Sequence, residues 1–190
     1  MSDRPSQILE AAVRVIAQDG VRGMRIEKLA AEAGVSTALI YHYFGDRSGV
    51  LRAALEAINT TAQRYTDDVA TAAEPRSKIA ELLLLEIQQK DAIRHNSVAW
   101  GELRACAVFD EGLRAPLKRT TADWNAQIAH LVGQGQAGGT IAQGVDAEAA
   151  AERLTTLVEG LSERWHSGSI TMKRARQLVA GAVEIELGTS

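Results

Sequence analysis

The sequence is poor in cysteine, proline and aromatic residues, and each shortage excludes a class of structure. Cys106 is the single cysteine among 190 residues, which excludes an internal disulfide and a multi-cysteine metal site. Three prolines, together with abundant alanine and leucine, favour helices over sheets. The longest apolar runs, such as residues 82–85, are too short to span a bilayer, so no membrane partner is expected.

A leader sequence and a strong charge of one sign are also lacking. The first five residues are polar and helical patterning begins directly afterwards, unlike a signal peptide. The net charge of −3 argues against a protein that coats nucleic acid without sequence preference. We therefore expect an all-α protein located in the cytoplasm.

Signals for catalysis or for bound metals and cofactors are missing as well. The four histidines are scattered without ligand spacing, and the sequence contains no Gly-x-Ser-x-Gly nucleophile elbow. Gly133-x-Gly135-x-x-Gly138 matches a dinucleotide-binding string, but it follows a helical pattern rather than a strand. We expect no enzyme activity, no metal site and no cofactor.

Three of the eight aromatic residues are concentrated in one short segment, Tyr41-His42-Tyr43-Phe44. The preceding patterns predict a helix that ends near Gly20, a second helix over residues 26–33 and a turn over residues 34–36. Ser36 is a good N-cap for a third helix over residues 37–44, because its hydroxyl accepts from a free N–H group. A fourth helix is predicted from Arg47 to about residue 72, with Asp46 as its cap.

Two short helices joined by a glycine-containing turn form a helix-turn-helix unit, whose second helix enters the DNA major groove. Ile40 and Phe44 share one side of this second helix, where they would pack inward. The phenol, imidazole and hydroxyl groups on its other sides can reach phosphates and base edges. The alternative is that Tyr41 or Tyr43 fills a small three-helix core.

The small, apolar and aromatic residues between positions 26 and 47 form a specific pattern. It reads Ile26-x-x-Leu29-Ala30-x-x-Ala33-Gly34-Val35-Ser36, then Ile40-Tyr41-x-Tyr43-Phe44-x-x-Arg47. This pattern resembles the DNA-binding head of TetR-family transcriptional regulators. The resemblance implies about nine helices, a helix-turn-helix domain over residues 1–52 and a ligand-binding and dimerisation domain over residues 53–190. It also implies a homodimer, a palindromic double-stranded DNA operator and a small-molecule effector.

The same resemblance implies which residues contact DNA. By position these are Arg25, Ser36, Thr37, Ala38, Leu39, Tyr41, His42, Tyr43 and Arg47. Arg47 occupies the place of a phosphate-contacting lysine in the family. Arg25 occupies the position before the second helix where the family usually has a Thr or Ser that caps the helix and touches a DNA phosphate. Arg25 would bind the phosphate by its charge but would cap the helix poorly.

The second part of the chain predicts five further helices, over residues 76–90, 93–108, 113–136, 147–166 and 171–187. Pro75 suits a first helical turn, and Pro116 is expected near the start of its helix or just ahead of it. The block Trp100-Gly101-Glu102-Leu103-Arg104, with Trp124 and Val158-Glu159-Gly160-Leu161 downstream, resembles the C-terminal domain of BetI-like regulators.

The last two helices carry broad apolar stripes that predict a dimer interface or, alternatively, an internal core. The interface candidates are Leu154, Leu157, Val158, Leu161, Trp165, Leu178, Val179, Ala182 and Val183; Ile185 continues the second stripe. An effector pocket should be mostly apolar with a few convergent polar groups. Its candidates are Tyr65, Glu86, Trp100, Arg104, Trp124, Gln127 and Glu159.

Two classes of function follow. The first is a DNA-binding transcriptional regulator, namely a ligand-responsive dimeric repressor that binds a palindromic operator. The second is a helical small-molecule-binding protein or enzyme whose head does not read DNA. The absence of a catalytic constellation favours the first.

Overall fold

The computed structural model describes residues 3–69 and 74–188, without the side chains of residues 61–69. Within these residues the chain forms nine helices and no strand, which confirms the predicted all-α class. In chain order they are α1 (Arg4–Gly23), α2 (Ile26–Ala33), α3 (Thr37–Phe44), α4 (Arg47–Val69), α5 (Pro75–Leu85), α6 (Asp91–Ala107), α7 (Glu111–Ala137), α8 (Ala147–His166) and α9 (Met172–Leu187). None of the helices in these ranges is long and apolar enough to cross a membrane.

The helix-turn-helix segment follows the prediction because its end signals are local. Gly34 ends α2 in the left-handed region, at φ 63°, which glycine adopts without steric cost. The Ser36 hydroxyl accepts from the Leu39 N–H at 3.2 Å and caps α3. Asp46 caps α4 in the same way, because its carboxylate accepts from the Gly49 N–H at 2.6 Å.

The later helices depart from the predicted bounds. α5 ends at Leu85 instead of residue 90, and the Arg176 guanidinium of α9 donates to the carbonyls of Leu84 and Ile87 at 2.8 and 2.7 Å. α7 begins at Glu111 instead of residue 113 and contains Pro116 in its second turn, near the start of the helix, where the sequence predicts it. Proline has no N–H group, so this turn lacks one helical hydrogen bond.

The chain divides into two compact units that are not continuous in sequence. Unit 1 comprises residues 1–63 and 95–120, and unit 2 comprises residues 64–94 and 121–190. The core of unit 1 combines α1 to α4 with Ala99, Leu103 and Ala107 of α6 and Leu113 of α7. The core of unit 2 is built from α5, the later part of α7, α8 and α9. Residues of α6 and α7 therefore complete the packing around the helix-turn-helix.

Candidate nucleic-acid interface

The third helix presents polar and aromatic groups to solvent while its apolar side is buried. Ile40 has no exposed surface, and Phe44 packs against the core of unit 1. Tyr41 and Tyr43 keep 48% and 43% of their surfaces exposed. These tyrosines therefore do not fill the three-helix core, and the alternative of a core role for either is wrong.

The outer surface of α3 carries most of the residues predicted to contact DNA. Ala38, Tyr41 and His42 lie at i, i+3 and i+4, share one face of the helix and are exposed. The His42 and Tyr43 rings meet edge to face at a centroid distance of 5.2 Å, which orients both. Ser36 is exposed, while Thr37 and Leu39 are half-buried. Phenol, imidazole and methyl groups are thus displayed together at the start and middle of one capped helix.

Arg25 lies at the N-terminal end of α2 and is exposed. It makes no side-chain capping hydrogen bond, in agreement with the prediction that it caps poorly. Exposed ion pairs join α1 to α2, with Arg14 to Glu32 at 2.7 Å and Lys28 to Asp19 at 2.5 Å. Such exposed pairs contribute little to stability, so the apolar contacts between the two helices dominate.

Arg47 is half-buried and bonded to the backbone of the segment between α1 and α2. Its Nε donates to the carbonyl oxygen of Met24 at 2.8 Å, and its Nη2 donates to that of Val21. The guanidinium therefore fastens the start of α4 to this segment. Contact between a phosphate and the remaining Nη1 group stays a prediction.

Glu102 of α6 contacts the same segment from another side, and the sequence did not single it out as functional. Its Oε2 accepts from the Val21 N–H at 3.0 Å. Gly20 has a non-helical backbone, with φ 71° and ψ 170°, and a Cβ there would lie 2.8 Å from that oxygen. Gly20 predicts a helix break, but nothing local indicates which distant acidic residue bonds the N–H that follows.

The residues predicted to bind a ligand fall in both units. Trp100 and Arg104 belong to unit 1, whereas Glu86, Trp124, Gln127 and Glu159 belong to unit 2. The Tyr65 side chain lies outside the described residues. Trp124 packs against the core of unit 2 and Gln127 is half-buried.

Two of these residues, Glu86 and Glu159, form an acidic pair within unit 2. Glu86 as a whole keeps some exposed surface, but its carboxyl group is buried. This burial, together with the nearby Glu159 carboxylate, raises the pKa of Glu86 to about 7. In the same unit, burial and the nearby Arg94 charge lower the pKa of His166.

The predicted dimer-interface residues divide into inward and outward sets. Five have almost no exposed surface and pack inside unit 2, so they have no surface left for a partner: Leu154, Val158, Leu161, Val179 and Val183. Leu157, Trp165, Leu178 and Ala182 are only partly buried. Ile185 is 83% exposed. Most of the apolar stripe residues of α8 and α9 therefore belong to the core of unit 2, and those along one edge of each stripe remain partly exposed.

Comparison with known proteins agrees with this geometry. Residues 8–54 match the family of bacterial regulatory proteins of the tetR type, and residues 75–188 match the BetI-type transcriptional repressor C-terminal family. The chain belongs to the TetR family. The proteins it resembles are transcriptional regulators rather than enzymes.

Individual TetR-family relatives show how far the likeness extends. A regulator from Rhodococcus sp. has a solved structure with a TM-score of 0.92 and 43% identity, covering 99% of this chain and 100% of the other. A regulator from Saccharomonospora viridis, solved with choline, has a TM-score of 0.82 and 25% identity, with 95% of each chain covered. The BetI regulator of Brucella anthropi is 28% identical over 98 residues, covering 51% of this chain. That alignment spans half the length of the Brucella protein.

Proposed function

We propose that this TetR-family protein is a ligand-responsive, dimeric transcriptional repressor that binds a palindromic DNA operator in the cytoplasm. The exposed face of the capped helix α3 carries the proposal, because its tyrosine and histidine side chains face solvent, where they can reach phosphates and base edges. Residues 1–52 would read DNA, and residues 53–190 would bind the effector and the partner subunit. Phosphate contacts from Arg25, Arg47 and the Ser36–Thr37 helix start would fix the register.

Selection from a random duplex library, followed by fluorescence anisotropy at two salt concentrations, tests the proposal. We expect a palindromic consensus, two protomers per duplex, and much weaker, salt-sensitive binding to a scrambled duplex. Failure to enrich any sequence would instead support the second class, a helical small-molecule-binding protein or enzyme with a head that does not read DNA.

Replacing Tyr41 with alanine should weaken binding to the selected operator by about tenfold to one hundredfold. The substitution removes a large exposed group from the groove-facing side of α3 without disturbing a core contact. Anisotropy titration measures the loss. Tyr41→Phe separates the contribution of the ring to affinity from that of the hydroxyl. Phe109→Ala is a matched control, because Phe109 is 90% exposed and lies outside α3. Equal affinities for wild type and Tyr41→Ala would contradict the assignment of this face.

We place the dimer interface along the outward edges of α8 and α9. Leu178, Ala182 and Ile185 lie at i, i+4 and i+7 and so share one side of α9. Gly160 of α8 and Gly181 of α9 lie within helices although a Cβ at either would meet nothing within 4 Å. A mid-helix glycine costs about 0.5–1 kcal/mol relative to alanine, and close approach of a partner helix would offset that cost.

Replacing Ile185 with glutamate should weaken dimerisation at least tenfold. A charge placed within an apolar helix–helix contact loses its hydration without gaining a partner. Light scattering after size-exclusion chromatography, over a dilution series, measures the change. Val108→Glu is the control, because Val108 is also exposed, at 63%, but lies in unit 1. An Ile185→Glu protein that stays dimeric at the same concentrations would place the interface elsewhere.

For the effector, we favour a cationic ligand held in unit 2. The Glu86 and Glu159 carboxyls lie near enough for one to raise the pKa of the other, and a bound cation would relieve their repulsion. Trp124 lies in the same unit, and tryptophan faces attract organic cations. The Saccharomonospora viridis relative was solved in complex with choline. Calorimetric titration with choline is the first test, with an uncharged alcohol of similar size as the control.

A further inference from the structure

The segment formed by residues 20–24, which we call the 20–24 segment, is held by contacts from outside the helix-turn-helix. Gly20 interrupts the helical backbone of α1, so the Val21 N–H cannot take its usual helical acceptor. Val21 and Met24 are buried, at 4% and 0% exposed, and their backbone groups need partners inside the protein. Within the segment the Met24 N–H donates to the Val21 carbonyl at 3.3 Å, and the further partners come from distant side chains.

Those partners approach from two different helices. Glu102 of α6 accepts from the Val21 N–H at 3.0 Å, across 81 positions of sequence. Arg47 of α4 donates to the carbonyls of Val21 and Met24. Val21 is therefore bonded through its N–H group to α6 and through its carbonyl group to α4. The 20–24 segment leads directly into α2, which packs against α3.

We propose that Glu102 is a positioning residue for operator binding: its carboxylate fixes the 20–24 segment, and thereby the direction in which α2 and α3 leave α1. The proposal rests on the proposed DNA-binding function. Glu102 does not touch DNA in this scheme. It sets the orientation of the helix-turn-helix within unit 1, on which the fit of two heads to successive major grooves depends.

The position of Glu102 also makes operator binding sensitive to α6. This helix begins in unit 2, at residues 91–94, and continues into unit 1. A movement of α6 relative to α1 would change the 3.0 Å distance between the Glu102 carboxylate and the Val21 N–H.

Two substitutions separate the hydrogen bond from the charge. Glu102→Asp keeps the charge but is one methylene shorter, so its carboxylate does not reach the Val21 N–H. Glu102→Gln loses the charge but keeps the length and an accepting oxygen. If Glu102 acts through its hydrogen bond, the aspartate variant fails and the glutamine variant works. If Glu102 acts only through its charge, the aspartate variant keeps operator binding and the glutamine variant loses it.

The experiment compares affinity for the selected operator and for a scrambled duplex by anisotropy, with folding monitored by circular dichroism. We expect Glu102→Asp to bind the operator about tenfold more weakly, with scrambled-duplex affinity within about twofold of wild type. Glu102→Gln should stay within about threefold on both duplexes. Three results would overturn the proposal. They are retained operator affinity in Glu102→Asp, an equal loss of its affinity for both duplexes, and a loss of operator affinity in folded Glu102→Gln.

Amide hydrogen exchange of Val21 provides a second readout that needs no DNA. We expect faster exchange at Val21 in Glu102→Asp and protection close to wild type in Glu102→Gln. Unchanged Val21 protection in Glu102→Asp would overturn the proposal even if no operator is found. A wild-type protein that selects no duplex, yet shows the expected exchange pattern, would count against the DNA-binding function and leave the contact itself established.

Discussion

Replacing Arg47 with alanine is expected to lower the free energy of unfolding by about 2–4 kcal/mol. The half-buried guanidinium donates to two backbone carbonyls, those of Met24 and Val21. Both carbonyls belong to buried residues. Without Arg47 the Met24 carbonyl loses its side-chain partner where water reaches poorly, while the Val21 carbonyl keeps the longer bond from the Met24 N–H at 3.3 Å. Urea denaturation followed by circular dichroism measures the change. Operator affinity should fall with it, because the 20–24 segment loses its attachment to α4.

Arg52→Ala is the matched control for this substitution. Arg52 is exposed on the same helix, and its removal changes the net charge by the same amount. Arg47→Lys should lie between wild type and alanine, since one ammonium cannot reproduce the two-pronged guanidinium contact. A protein with Arg47→Ala that unfolds at the wild-type urea concentration but binds DNA poorly would show that Arg47 acts through phosphate alone.

Replacing Glu86 with glutamine is expected to stabilise the protein at pH 8 by about 1–3 kcal/mol and to have little effect at pH 4. Burial and the neighbouring Glu159 charge raise the pKa of Glu86 from 4.5 to about 7 in the folded protein. Below pH 4.5 the carboxyl is protonated in both the folded and the unfolded chain. Between pH 4.5 and 7 the folded chain holds a proton that the unfolded chain has lost, so stability falls as pH rises. Above pH 7 the folded protein carries the full cost of a buried charge, which glutamine avoids.

Denaturation midpoints measured at several pH values for wild type and Glu86→Gln test this expectation. His166 titrates in the same unit with a lowered pKa, so the difference between the two proteins is the informative quantity. Glu81→Gln makes the same chemical change on the exposed side of α5 and is the matched control. A Glu86→Gln protein whose stability parallels wild type at every pH would mean that the Glu86 carboxyl is solvated.

The head was predictable from sequence because its signals are short-range. Gly34, Ser36 and Asp46 each determine a helix end through a backbone angle or a bond to an atom three residues away. The end of α2 and the starts of α3 and α4 follow from these residues, and the period of the apolar positions identifies Ile40 as buried. The exposed face of α3 then follows from helical geometry alone.

What the sequence did not predict depends on contacts between distant residues. The early end of α5 accompanies a bond from Arg176, about ninety positions away. The bond between Glu102 and Val21 is likewise long-range. The block that contains Glu102 resembles BetI-like proteins, but nothing in it predicts this bond. The stripes of α8 and α9 show a similar limit, because periodicity identifies apolar positions such as Val179 without telling whether they face the protomer's own core or a partner.

The discontinuous composition of unit 1 has a consequence for how the protein is made. Its core needs Leu103 and Leu113 as well as the first four helices, and the intervening residues 64–94 belong to unit 2. During synthesis the helix-turn-helix is translated before these residues exist. The nascent head must therefore expose apolar surface while about fifty more residues are translated, a state in which chains readily aggregate or recruit chaperones. The order of the helices thus makes a finished DNA-binding surface available only after more than half of the chain has been translated.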